Sequence, residues 1–242
     1  MEKITFGGKL IGYRIKRGKG KKSIAIKVSD TSQVIVSAPK GLSKEKIREI
    51  VEKKAGWIDR KQAYFKELNK LYPKKEYISG EQVLFRGRKY RLKIIETGDS
   101  PSTEMTLMGR RISIFIKKNL PERKKKETIK EALAKWFQSR SLEFISQRAK
   151  RYGQLLNLTP KKIIVRNQEK RWGSCSKSGV LRFNWRISMA PVSIIDYVVV
   201  HEICHLKERN HSSDFWRQVA LVILDYKRRR QWLRENFAGL EI

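Results

Sequence analysis

The 242-residue chain holds three histidines, His201, His205 and His211, and all of them fall between positions 201 and 211. The first two close the run His201-Glu202-Ile203-Cys204-His205, an H-E-x-x-H pattern. On a helix, residues four apart lie on one face about a turn from each other, so both imidazoles reach one ion. Glu202 lies on the adjoining edge, near enough to take a proton from a water activated by that ion. The chain's own residue frequencies make the pattern a chance event of roughly 0.003. The chemistry is that of a hydrolytic zinc site: one Zn2+, three protein ligands, a fourth position left open, and Glu202 as general base.

Three residues compete to be the third ligand. His211 follows His205 at the metzincin spacing, although Glu208 replaces the turning glycine of that pattern and no methionine follows Met189. A left-handed turn at Asn210 would bring His211 back to the ion. Glu208 shares a helical face with His201 but sits almost two turns away, and Glu235 is the choice if a later helix supplies a carboxylate. His211 is preferred among them. Asp214, after Ser212-Ser213, either caps a helix or orients an imidazole. Asp196 reads as an ordinary helical charge, Cys204 as core, and Cys175 stays outside the ligand set. Arg171, Asn184 and Arg186, clustered ahead of the metal motif, are candidates to dock substrate or stabilise an oxyanion.

These residues need a framework, and the pattern of the chain is that of an α+β protein. Alternating or apolar runs at 10–16, 23–28 and 33–38 read as strands, with a turn at 19–22. Ser43 opens a helical stretch toward Leu71, either one helix or two broken near Gly56. Strands follow at 82–85 and 89–95 around the hairpin signal Arg86-Gly87-Arg88, and again at 111–116, with 98–106 as a loop. Pro121 opens a long helix to about Tyr152. Strands at 163–166 and 180–187 flank a polar and aromatic knot at 170–176, and Pro191 starts the helix that runs into His201. No internal repeat stands out. The division expected is a β-rich region at 1–118 and a zincin-like metallohydrolase region at 119–242, unless the two run on as one continuous domain.

Composition sets outer bounds. With 23 aromatic residues and 40% apolar content the chain is not mostly disordered. No run approaches the roughly 18 apolar residues of a membrane span, the start lacks a signal-peptide pattern, and two cysteines imply no disulfide framework. A cytoplasmic protein without membrane partners is expected. The net charge of +32 suits an anionic partner such as nucleic acid, and equally a lysine-rich solvated surface.

The segments Arg171-Trp172-Gly173-Ser174-Cys175-Ser176, Leu181-Arg182-Phe183-Asn184-Trp185-Arg186 and Tyr197 to His201-Glu202, with Asn210-His211-Ser212, Phe215-Trp216 and Trp232-Leu233, resemble the YgjP-like metal-dependent hydrolase family. That family is related to the SprT-like and WLM zinc metallopeptidases. A looser likeness covers Ile78-Ser79-Gly80 and Phe85 to Tyr90, and Lys170 departs from the small polar residue expected there. The resemblance implies a zincin-like helix, zinc on His201, His205 and His211, and Glu202 as base. It makes a zinc-dependent peptidase the leading expectation. A nucleoside triphosphate (UTP-like) pyrophosphatase, with phosphates on Lys170, Arg171 and the Gly173-Ser174 backbone, is the second. A DNA-associated zinc peptidase that uses the basic surface is the third.

Overall fold

A strand with one face on a core needs an apolar residue at every second position. That alternation builds the first sheet. In the computed structural model, which describes residues 1–18, 23–29, 31–73, 75–98, 103–168, 171–236 and 239–240, Met1–Lys74 form one compact unit. Strands β1 (Glu2–Phe6), β2 (Lys9–Gly18), β3 (Ala25–Val28) and β4 (Val34–Pro39) pair in the order β1-β2-β4-β3. β2 and β4 run parallel, and β1 and β3 flank them antiparallel. Ile4, Ile11, Tyr13, Val34, Val36 and Ala38 form the buried rows, against Ile47, Val51 and Ile58 of the helices α1 (Lys44–Lys53) and α2 (Ala55–Leu71). Ser43 caps α1 by accepting from the Lys46 amide, and the break expected near Gly56 falls at Lys54. The turn expected at 19–22 lies outside the described residues.

The second unit, Lys75–Ile242, opens with the same arrangement. β5 (Gln82–Phe85), β6 (Arg88–Thr97), β7 (Glu104–Met108) and β8 (Arg111–Lys117) pair in the order β5-β6-β8-β7, again with a parallel central pair. Both opening hairpins turn on two residues at positive φ, Gly7-Gly8 and Arg86-Gly87. Buried Leu92 lies beside Ile112 as Tyr13 lies beside Val34. The fold therefore carries a repeat that the sequence does not display, because burial and pairing are kept while residue identities are not. β1 and β7 were unexpected strands; β7 occupies part of the segment read as a loop.

The second sheet packs in one core with the 35-residue helix α3 (Glu122–Leu156) and everything after it. This moves the division of the chain from 118/119 to Lys74/Lys75: Val83, Phe85, Leu92, Ile112 and Ile114 share a core with Phe137 of α3 and Val199 of the metal-motif helix. Asn157, left-handed, ends α3. β9 (Lys162–Arg166), β10 (Gly173–Cys175) and β11 (Val180–Asn184) then form a third sheet in the order β10-β11-β9, and a 3-10 turn at Trp185–Met189 leads into α4 (Val192–Cys204). The helices α5 (Ser213–Val222) and α6 (Tyr226–Asn236) close the chain. Among the described residues no helix is long and apolar enough to cross a membrane.

Two devices hold α4 in place. The Arg86 and Gly87 amides of the β5–β6 turn donate to Ser188 and Met189 carbonyls at 2.6 and 3.1 Å, just ahead of the helix. A Cβ on Gly87 would stand 2.8 Å from Pro191 Cα, so this close approach needs glycine. From α3, Arg148 grips both carboxylate oxygens of Asp196 and also reaches the Tyr152 hydroxyl at 3.2 Å. Asp196 is only 6% exposed, so the ordinary surface charge expected there is instead a buried anchor. Asp196→Ala leaves the Arg148 guanidinium unpaired and should lower the unfolding free energy by about 3 kcal/mol in urea titrations; a loss below about 1 kcal/mol would show the pair to be dispensable.

Candidate metal centre

Apolar residues on every side of α4 make it a buried helix, and its C-terminal end delivers the polar motif. Ile195, Val199, Val200, Ile203 and Cys204 are fully enclosed, which keeps Cys204 in the core as expected. His201 and Glu202 lie in the last turn and His205 is the C-cap. The chain then bends through Leu206, Lys207 and Glu208 amides donating back to Ile203 and Cys204 carbonyls. Asn210 is not among the residues at positive φ, so the bend, and not a left-handed Asn210, returns His211 to the site.

The three imidazoles converge. One ring nitrogen or its alternative from each of His201, His205 and His211 lies within 4.8 Å of the others, and His201 Nε2 and His211 Nε2 stand 3.1 Å apart. Two nitrogens bound at ~2.0–2.1 Å to a tetrahedral zinc stand about 3.3 Å apart, so the spacing fits. His205 Nδ1 donates to the Glu208 carbonyl at 2.9 Å, which leaves its Nε2 lone pair for an ion. Glu208 thus contributes its backbone oxygen. Glu235 accepts from Gln231 on α6, and neither carboxylate belongs to the convergent group. Burial, helped by His205, His211 and Arg230, pushes the His201 imidazole down to about 3, so it stays neutral, the form that ligates. Three imidazoles suit zinc and leave room for a fourth ligand.

Aromatic rings hold this cluster. Phe215, fully buried, stacks on His205 at 4.5 Å and stands 4.9 Å from both His201 and His211. Trp216 stacks on His211 at 5.6 Å and is itself stacked on Tyr226 and covered by Arg230. Ser212 caps α5 by accepting from the Phe215 amide, so one residue after His211 fixes where the aromatic floor begins. The run His211-Ser212 to Phe215-Trp216 was visible in the sequence as a motif, and its physical role as a wall for imidazoles was not.

Glu202 is 5% exposed and its Oε2 has no hydrogen-bond partner among the described residues. Burial raises its carboxyl to about 8, and the Arg171 charge works in the opposite direction. Its seat is the backbone of β10: a Cβ on Gly173 would stand 2.5 Å from Glu202 Oε1. Nothing in the sequence marked Gly173 for this, since the approach joins residues far apart in the chain. At the end of β10, Arg209 donates to Cys175 Sγ and to the carbonyls of Ser176 and Lys177, tying the bend after α4 to the strand. Cys175 is a free thiol, half-buried, and outside the histidine group.

The remaining expected residues divide. Arg171 is brought to the site, near Glu202. Asn184, 2% exposed, donates to the Gln168 carbonyl at 2.6 Å and accepts from the Arg186 amide, so it braces the loop and does not face substrate. Arg186 lies over the Trp185 ring and bonds Asn167. The Asp214 carboxylate pairs with Arg217, while capping falls to Ser212 and the imidazole contact to Glu208, so both roles expected of Asp214 are filled by other groups. Lys170 lies outside the described residues.

The sequence matches the family described as YgjP-like, metallopeptidase domain, over residues 22–236. The chain belongs to the YgjP-like family. Its metallopeptidase domain covers both compact units from residue 22 onward. No curated protein matches it significantly. Among solved structures, the zymogen of Pyrococcus abyssi abylysin, a metallopeptidase, is 20% identical with a TM-score of 0.35, covering 38% of this chain and 93% of that one. The zymogen of Methanocaldococcus jannaschii jannalysin, also a metallopeptidase, is 18% identical with a TM-score of 0.36, covering 38% and 96%.

Proposed function

We propose that this YgjP-like protein is a zinc-dependent peptidase in which His201, His205 and His211 hold one ion and Glu202 is the general base. The observation that carries the reading is the convergence of three imidazoles beside a buried carboxylate with an unpartnered oxygen. Zinc, when bound, supplies a Lewis acid that polarises the scissile carbonyl and acidifies water. Glu202 Oε2 receives the proton of the attacking water as the new C–O bond forms, and returns it to the amide nitrogen as the C–N bond breaks. Burial holds the metal-free carboxyl up at about 8, and Arg171 works against it, as the charge of a bound zinc would further, toward the ionised form that accepts the proton.

An extended peptide has a place beside this base. β11 is the only described strand paired with β10, so the other edge of β10 is open. The Trp172 carbonyl accepts from the Asn184 amide at 2.8 Å and the Ser176 amide donates to the Val180 carbonyl at 3.0 Å, both toward β11. By antiparallel alternation, Gly173 and Cys175 turn their N–H and C=O groups to the open edge, where a substrate backbone can pair.

Metal removal tests the reading. A strong chelator should lower hydrolysis of internally quenched peptides by about 100-fold or more, and added zinc should restore it. Undiminished hydrolysis by metal-free protein would exclude the mechanism.

A further inference from the structure

A groove of about 700 Å³ opens along the third sheet beside β10, lined by Arg166, Arg171, Ser174, Ser176 and Arg182 among its eight residues, none of them acidic. The sheet register explains why guanidinium groups gather there. Leu181 and Phe183 of β11 are fully buried, so Arg182 between them points to the opposite, outer face. Ser174 pairs directly with Arg182 and shares that face, and Arg166 is register partner to Asn184, two residues further along. Five other arginines of this unit, Arg123, Arg140, Arg148, Arg217 and Arg229, each sit in an ion pair. Among the described residues, Arg166 and Arg182 have no such partner, and Arg171 has only the charge of Glu202 nearby. Three like charges lining one groove repel, and an anionic group, a carboxylate or a phosphate held by a guanidinium fork, relieves that repulsion.

We propose that this groove selects acidic side chains of a peptide substrate laid along the open edge of β10. The proposal rests on the peptidase reading above and names its substrate class. A strand added to that edge alternates its side chains between the two sheet faces. Residues level with Gly173 and Cys175 turn to the inner face, where Glu202 lies against Gly173. Their neighbours, level with Ser174, turn to the outer face beside Arg182. Acidic residues are therefore preferred next to the cleaved position and at alternate positions from it. A nucleotide would use the arginines but has no backbone for the β10 edge, so the peptide is the better occupant.

Matched quenched peptides carrying Glu, Gln or Lys at each position around the cleaved bond test this with the zinc-loaded protein. The Glu peptide should be cleaved with at least about tenfold higher kcat/KM than the Gln peptide, and Arg182→Glu should reverse the order in favour of Lys. The same peptides, labelled and titrated against zinc-loaded Glu202→Gln protein by fluorescence anisotropy, read the groove without turnover. A tenfold preference for Glu in binding supports the groove even if no peptide is cleaved, and only the peptidase reading then fails. Equal affinity for the Glu and Gln peptides, or a preference untouched by Arg182→Glu, overturns the proposal. Hydrolysis of nucleoside triphosphates that is lost in Arg182→Glu, without any peptide preference, overturns it too and assigns the groove to phosphate.

Discussion

Glu202→Gln keeps its metal and loses about 10²–10⁴-fold in turnover. Glutamine has the shape of glutamate, and the site leaves little freedom to reorient, since residue 202 is 5% exposed and lies against the Gly173 backbone. The three imidazoles are held from elsewhere, by the Glu208 carbonyl and by Phe215 and Trp216, so the ligand set is untouched. What is lost is an oxygen that takes up a proton. Elemental analysis beside steady-state hydrolysis of one peptide measures both halves. Turnover within about fivefold of wild type would remove Glu202 from the chemistry.

Gly173→Ala should be nearly as damaging, although residue 173 touches no ligand. The added Cβ would stand 2.5 Å from Glu202 Oε1, 2.6 Å from Cγ and 2.8 Å from Cδ, distances that force the carboxylate or the strand to move. Gly173 is not at positive φ, so the penalty is contact and not backbone strain. Displacing a general base by about 1 Å costs on the order of 10²-fold in rate, and overpacking costs about 1–3 kcal/mol in stability. The double variant Gly173→Ala/Glu202→Ala separates contact from other causes. With the carboxylate gone the clash goes too, so the double variant should match Glu202→Ala in both activity and urea midpoint. Additive losses would mean that Gly173 acts through something other than Glu202.

Much of the centre was legible because it is local. His201, Glu202 and His205 lie within one helical turn and a half, and α4 shows itself by its apolar run and Pro191. His211 was preferred from histidine scarcity and spacing, with Glu208 and Glu235 left open; the structure gathers the three imidazoles, and neither carboxylate is in that group. What escaped was made by contacts between distant segments. β10 is three residues of Gly, Ser and Cys, too short and too polar for a strand pattern, yet it carries the seat of Glu202. Asn184 and Arg186 had the right chemistry for substrate but are engaged with the Gln168 carbonyl and with Asn167. Asp196 looked like a surface charge because nothing local announces Arg148 on α3. The division of the chain was misplaced for a similar reason, since a change from strands to a long helix marks a boundary only when the two do not share a core.

The charge of +32 gains a specific meaning only where pairing is absent. Some basic residues on the helices are matched at i,i+3 or i,i+4, such as Arg48 with Glu52 and Arg123 with Glu127, pairs worth little individually. The arginines of the β9–β10–β11 groove are the informative ones, because three of them line one groove with no acidic residue in its lining, along the strand that seats the base.

The central claim is that three histidines hold one ion, and elemental analysis of zinc-equilibrated wild type and His211→Ala tests it most directly. The wild type should carry about one zinc per chain and His211→Ala under about 0.2 after the same dialysis, with the fold retained by circular dichroism. Full zinc occupancy in His211→Ala, or none in the wild type, would contradict the assignment.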